Sequence, residues 1–258
     1  MSTGSRIPYM ADTTQNRRFD VGAIGVTALE CPPLPDAVLT DPLAGRLDPR
    51  KWFPFPERPF EIEIGPGKGA FIVNQCAAEP ETNYLAIEWE GEIWAYCADR
   101  LRRRHAANVR MLLGNAVDFL KWRVPDGIVR VIHLYFSDPW PKYKHHKNRV
   151  IQDAFLAQVF RVLVPGGELR VVTDHDELWA WNCEHFGRWT TPGGKGVPPS
   201  LVSVPGGPPF RVEPFVSPKW VMMGEVLGTN FERKFQKEDQ PAHSCVLRKQ
   251  GRVANMAP

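Results

Sequence analysis

From Phe60 to Phe186 the chain alternates, five times over, between a short apolar run and a segment with helical spacing. The apolar runs fall near 60–64, 84–87, 109–113, 129–136 and 168–173, and the helical segments near 69–77, 91–105, 115–122, 149–163 and 175–186. Runs of this length bounded by turn residues read as buried strands. Parallel neighbours need a crossover between them, so strands separated by helices predict an α/β fold with a doubly wound, mostly parallel sheet. In the second helical segment Ile93, Cys97 and Leu101 form an apolar stripe, which turns Arg100, Arg102, Arg103 and Arg104 largely toward water. Val164-Pro165-Gly166-Gly167 supplies a helix stop and a turn into the fifth strand. A last strand is expected over Ala242 to Arg248, with a turn or short helix at Thr229 to Phe235 before it.

The main domain is expected over residues 51–250. Residues 1–50 are polar and then dotted with proline, an irregular extension whose first thirty or so residues are expected to be mobile. Residues 190–218 are rich in Gly and Pro without periodicity, which predicts a long surface excursion or flap. Residues 251–258 form a tail. At 258 residues the chain suits one large domain with extensions. A net charge of +3 is too small to identify a polyanionic partner by itself. The five cysteines are widely spaced and lack a CxxC pair, which argues against a disulfide framework or a zinc site. The adjacent His145 and His146 lack the thiol or carboxylate company a metal site needs, so no metal is expected. No apolar run reaches membrane-spanning length and the N-terminus lacks a secretory-type segment, so a soluble cytoplasmic protein is expected.

The first strand, Phe60-Glu61-Ile62-Glu63-Ile64, runs into Gly65-Pro66-Gly67-Lys68-Gly69 and then a helix. Gly65, Gly67 and Gly69 permit a tight turn and a close approach of ligand to backbone, at the strand end where open α/β sheets bind ligands. A phosphate-binding P-loop requires Gly-Lys-Ser/Thr, but Lys68 is followed by Gly69 and Ala70. The dinucleotide fingerprint G-x-G-x-x-G is replaced by G-x-G-x-G, with Glu63 two residues before the first glycine. A carboxylate there opposes a pyrophosphate and suits a ligand carrying an ammonium and a sulfonium, which favours S-adenosylmethionine. Glu88 ends the second strand, where an acidic side chain accepts from ribose hydroxyls in both kinds of nucleoside-cofactor fold. Asn115, after the third strand, has two readings: contact with an adenine amino group, or capping of the next helix.

The fourth run ends in Phe136-Ser137-Asp138-Pro139-Trp140-Pro141, followed by Lys142, Lys144, His145, His146, Lys147 and Arg149. The prolines stop the ladder and stiffen the backbone, which holds the Asp138 carboxylate and the Trp140 indole above the sheet edge. A charge run is usually a solvated face. Because this one abuts the carboxylate, Lys142, Lys144, Lys147 and Arg149 are expected to meet nucleic-acid phosphates. The Arg100 to Arg104 run divides between a solvated helix end and a second RNA patch.

Taken in order, Glu63-Ile64-Gly65-Pro66-Gly67-Lys68-Gly69, Phe136 to Lys142 with its His145-His146-Lys147 tail, Thr173-Asp174, and Thr229-Asn230-Phe231-Glu232 resemble the bacterial tRNA (guanine-N7)-methyltransferases. The resemblance covers about residues 52 to 248. It implies a class I, Rossmann-like fold and transfer of a methyl group from S-adenosylmethionine to N7 of a variable-loop guanosine in tRNA. By motif position it implies that Glu63, Glu88 and Asn115 hold the cofactor, and that Asp138 is catalytic and lies against it. Lys142, Asp174, Thr229, Asn230, Phe231 and Glu232 would hold the RNA. A monomer or homodimer is expected, with no obligate partner subunit. Asn115 stands where the family often has Asp, and Ser137 replaces a common Pro.

Guanine N7 carries a free lone pair and needs no strong base before attacking a methyl group. A carboxylate near the ring stabilises the positive charge that develops there, a role that suits Asp138. Asp174 and Glu232 are candidates for reading the N1–H and N2 amino edge, and Trp140 either stacks on a base or anchors the core. Three alternatives differ in class: a nicotinamide-dependent oxidoreductase, an S-adenosylmethionine-dependent enzyme acting on another RNA, a small molecule or a protein, and a non-catalytic RNA-binding subunit.

Overall fold

A computed structural model describes residues 18–197, 207–222, 225–227, 232 and 242–251. Its strands are β1 (Phe60–Ile64), β2 (Asn83–Glu88), β3 (Val109–Leu113), β4 (Val129–Tyr135), β5 (Leu163–Thr173), β6 (Phe210–Glu213) and β7 (His243–Lys249). Its α-helices are α1 (Ile72–Ala78), α2 (Gly91–Arg102), α3 (Ala116–Trp122), α4 (Asp153–Val162) and α5 (Asp176–Trp189). The sheet order is β3-β2-β1-β4-β5-β7-β6. The first five strands run parallel, and β7 lies antiparallel to both β5 and β6. The expected doubly wound sheet is therefore present, with the strand order reversing between β1 and β4.

The burial pattern explains the two layers. Ile62, Ile64, Leu85, Ile87, Ile132 and Leu134 meet Phe119, Leu120, Phe155 and Val159 of α3 and α4 on one face. On the other face Tyr84, Ala86, Val109 and Met111 meet Ile72, Val73, Trp94, Cys97 and Leu101 of α1 and α2. Strand β1 is buried along its whole length, yet it carries Glu61 and Glu63. Glu61 is fully engaged: His133 Nε2 lies 2.8 Å from its carboxylate, Arg130 Nε donates at 2.8 Å, and His133 Nδ1 lies 2.7 Å from the Tyr135 hydroxyl. A carboxylate only accepts, so Nε2 carries the imidazole proton and Nδ1 accepts from Tyr135. Burial opposes ionisation of Glu61, but the His133 hydrogen bond and the Arg130 charge hold its pKa below the usual value.

Three regions differ from expectation. The Gly/Pro-rich excursion contains β6, whose Phe210 is fully buried against Phe160 and Trp189, so part of it belongs to the sheet. Residues 198–206 lie outside the described residues. The N-terminal extension is irregular, as expected, but from Ile24 onward it is anchored on the domain at several points. Ile24, Val26, Cys31 and Val38 are buried, Val26 N donates to Met111 O at 2.9 Å beside β3, and Arg110 pairs with Glu30 at 2.7 Å. Residues 1–17 and 252–258 lie outside the described residues, as do Thr229 to Phe231 and 233–235. The third difference is β5, which begins at Leu163 rather than 168 because Leu163 already pairs with Val129, the register shifting before Val131. No helix among the described residues is long and apolar enough to cross a membrane.

Phe210→Ala is expected to destabilise the domain by about 3–5 kcal/mol, the cost of emptying a fully buried aromatic site. Urea denaturation measures it, and a negligible loss would mean that β6 is detached from the core.

Candidate active site

The loop after β1 is fastened to β2. Gly65 N donates to Ile87 O at 2.9 Å, and Gly67 N donates to the Glu88 carboxylate at 3.2 Å. Both glycines have positive φ, and a Cβ built on either meets nothing within 4 Å. Gly69 differs: a Cβ there would stand 2.6 Å from Cys97 Sγ, so this glycine lets α1 approach α2. The motif therefore splits into two residues that leave open space for a ligand and one that serves packing.

Two acids lie under this loop. Glu63 is buried, its Oε2 has no hydrogen-bond partner among the described residues, and burial followed by the nearby Glu88 pushes its pKa up to about 8. Burial also raises the pKa of Glu88, opposed by the backbone N–H groups of Glu90, Trp89 and Gly67 that its carboxylate accepts. Carboxyls in this state gain most from a cation or a set of donors arriving from outside.

A cleft of about 640 Å³ opens at the carboxyl ends of β1 and β4, lined among others by Gly65, Trp89, Asn115, Ser137, Asp138 and Trp140 and floored by Phe155. Asn115 Oδ1 caps α3 by accepting from Val117 N at 2.9 Å and Asp118 N at 3.2 Å, so this residue caps the helix and lines the cleft at once. Phe136 N extends the β4–β5 ladder by donating to Val172 O at 2.8 Å. Phe136 and Trp140 then adopt φ of 50° and 44°, a region that bulky side chains avoid at a cost of about 1–3 kcal/mol each. Asp138 sits between these two strained residues, exposed at the cleft. Beyond it a 3₁₀ turn, Tyr143–Asn148, presents Lys144 and Lys147 to solvent, with Lys142 exposed just before it.

The family model Methyltransf_4, described as "Putative methyltransferase", matches residues 57–191, just over half of the chain, from β1 through α5. The chain belongs to this methyltransferase family. Similar curated proteins include the tRNA (guanine-N(7)-)-methyltransferase of Alkalilimnicola ehrlichii, 36% identical over 158 residues, 61% of each chain. The protein of the same name from Nitrobacter hamburgensis is 36% identical over 155 residues, 60% of each chain. The chain spans about 60% of the length of these relatives. Among solved structures, the 30S ribosomal A1408 methyltransferase from an uncultured bacterium aligns with a TM-score of 0.47 at 10% identity, over 75% of this chain and 88% of that one.

In this methyltransferase the cleft brings together Gly65, Asn115 and Asp138, while Glu63, Gly67 and Glu88 lie on the α1–α2 side of the same sheet edge. Asp174 follows β5 at the adjacent strand end and is half-buried. Thr229, Asn230 and Phe231 lie outside the described residues. Glu232 is buried, and its carboxylate accepts the backbone N–H groups of Val226 and Leu227, so it secures its own segment instead of standing open to a guanine edge. Arg149 also departs from expectation: its side chain is 1% exposed and bonds within the protein, which removes it from the phosphate-facing set. Of the Arg100 to Arg104 run, Arg100 donates to Lys68 O and Arg102 and Arg103 pair with Asp99, while Arg103 and Arg104 stay exposed to solvent. Trp89 was not singled out from sequence, yet it is 69% exposed on the cleft wall. Its only signal is an aromatic directly after Glu88.

The state of Glu63 has a pH signature. Its proton is held more tightly in the folded chain than at its ordinary pKa of 4.5, so the associated stability is present at low pH and fades as pH rises toward about 8. Glu63→Gln removes the ionisation. Its melting temperature is expected to overtake the parent's increasingly between pH 5 and pH 8, at about 2–4 °C per kcal/mol for a domain of this size. Parallel curves across that range in thermal melts would mean that Glu63 is ionised throughout.

Proposed function

We propose that this methyltransferase transfers a methyl group from S-adenosylmethionine to N7 of a guanosine in the variable loop of tRNA, acting as a monomer or homodimer. The observation that carries the reading is Asp138, held between two strained residues at the point where the strand order reverses, with exposed lysines beside it. The name shared by the similar bacterial proteins supports the choice of nucleophile and substrate.

The residues under the glycine turn suit the methyl donor. The unpartnered Oε2 of Glu63 is a buried acceptor that a cationic amino-acid moiety would satisfy, and the open space over Gly65 and Gly67 admits a ligand against the backbone. Glu88, already aligned by three backbone N–H groups, keeps lone pairs for ribose hydroxyls. Asn115 would meet the adenine and Trp89 would cover it. When bound, S-adenosylmethionine supplies an electrophilic methyl group on a sulfonium.

Asp138 need not remove a proton, because the N7 lone pair is already free. Its carboxylate would face a ring that becomes cationic as the N7–CH₃ bond forms and the sulfonium S–CH₃ bond breaks to leave a neutral thioether, so it would stabilise the transition state more than the neutral base. Asp174, which follows β5, would accept from the base, and Lys142, Lys144 and Lys147 would bind phosphates.

The protein incubated with labelled S-adenosylmethionine and unmodified tRNA should transfer label to N7 of guanosine, located by cleavage at the modified base. Label appearing only in another RNA or in protein would overturn the substrate. Asp138→Asn keeps shape and loses charge, so turnover should fall by about two orders of magnitude while donor affinity changes little. In a separate test, Lys144→Ala with Lys147→Ala should flatten the slope of log affinity for tRNA against log salt by about 1–2. An unchanged slope would make these lysines a solvated face.

A further inference from the structure

The loop that carries Asp138 cannot be secured by its own backbone in the usual way. Pro139 and Pro141 have no N–H to donate, and Phe136 and Trp140 hold conformations that the chain would leave if released. The Phe136 N–H is already given to Val172 O, and the carbonyl oxygen of Pro139 needs a donor from elsewhere.

Arg149 provides that donor. Its Nε gives a hydrogen bond to Pro139 O at 2.9 Å, and its Nη2 bonds Glu177 Oε1 at 2.6 Å, in the first turn of α5. The guanidinium lies 5.2 Å from the centre of the Trp181 ring. Its own backbone is anchored too, since Gln152 Nε2 donates to Arg149 O at 2.8 Å and Trp181 Nε1 donates to Ile151 O at 2.7 Å. Burying a guanidinium against one half-exposed carboxylate is poor value for stability, because desolvation offsets the attraction. An apolar side chain would fill the same space without that cost. The planar, preorganised fork holds a carbonyl and a carboxylate at once in one fixed geometry.

The geometry points to Arg149 as a positioning residue: it clamps the Asp138 loop to the start of α5, three residues after Asp174, and so sets the two substrate-side carboxylates in register. This inference rests on the role proposed for Asp138 above. Arg149 would act through the Pro139 carbonyl, to which its Nε donates, and not on the reacting atoms.

The test uses R149K and E177Q in the full chain, with two independent readouts. R149K keeps the charge but loses the fork, so kcat for tRNA methylation should fall by about a hundredfold, the scale for displacing a reacting group by an ångström. KM for tRNA, its salt dependence and donor affinity should stay unchanged. E177Q should shift kcat in the same direction by a smaller factor. Amide hydrogen exchange of the ligand-free protein should quicken across 136–142 in both variants, with β1 and β4 unaffected. A raised KM with a flatter salt slope and unchanged kcat would make Arg149 a phosphate contact and overturn the proposal, as would parental kcat together with parental exchange. If the parent does not methylate tRNA, the substrate reading fails, but exchange across 136–142 still decides whether Arg149 holds the loop. Should R149K not fold, both readouts on E177Q decide it.

Discussion

Side by side in the sheet, β1 and β4 run parallel, but the chain leaves them for opposite faces: β1 leads to α1, while β4 leads through its loop to α4. Two chain segments diverging from adjacent strand ends open a crevice that no side chain has to be carved away to make. Everything assigned to the site depends on that divergence. It leaves Gly65 and Gly67 facing open space, and it puts Asp138 on the cleft that Gly65 also lines. The packing of α3 and α4 against one face, and of α1 and α2 against the other, keeps the crevice open.

Strand β1 shows how position along one strand decides the state of a carboxyl. Glu61 and Glu63 are two residues apart on the same face and both are buried. Glu61 meets His133 and Arg130 and is held ionised. Glu63 meets Glu88 instead of a cation, and burial keeps its proton on. One acid completes an internal network, and the other keeps a carboxyl oxygen without a hydrogen-bond partner among the described residues. A buried group left unsatisfied in the folded chain is costly, and sites are where such costs are tolerated.

The opposite wall is built from strain rather than charge. A loop with two prolines and two bulky residues at positive φ has little local preference for the shape it adopts. Arg149, Glu177 and Trp181 lie 10, 38 and 42 residues beyond Pro139, and none reads as part of a loop anchor by its type alone. Phe215, Trp220, Val226 and Leu227 pack with Phe71, Tyr135 and Val172, with Trp220 Nε1 donating to Gln75 Oε1 at 2.8 Å and Glu232 securing Val226 and Leu227.

By itself the sequence determined the five parallel strands, the helices between them, the glycine turn and the placement of Asp138 at a strand end. Each of these is written locally, in apolar periodicity or in turn residues, and predicted bounds fell within a few residues except at the start of β5 and α4. Tertiary structure alone decided the rest. Strand β6 is four residues long with two exposed, so it carries no periodic signal and exists only through pairing with β7. The N-terminal turns looked like a loose extension until Val26 met β3. Arg149 sits in a run of lysines and histidines that reads as one basic face, and only burial separates it from its neighbours. Glu232 reads as an open acceptor until the backbone that it holds is in place. Periodicity reports which side of an element is buried, whereas the partner of a polar side chain depends on elements distant in the chain, and that information exists only once they have packed.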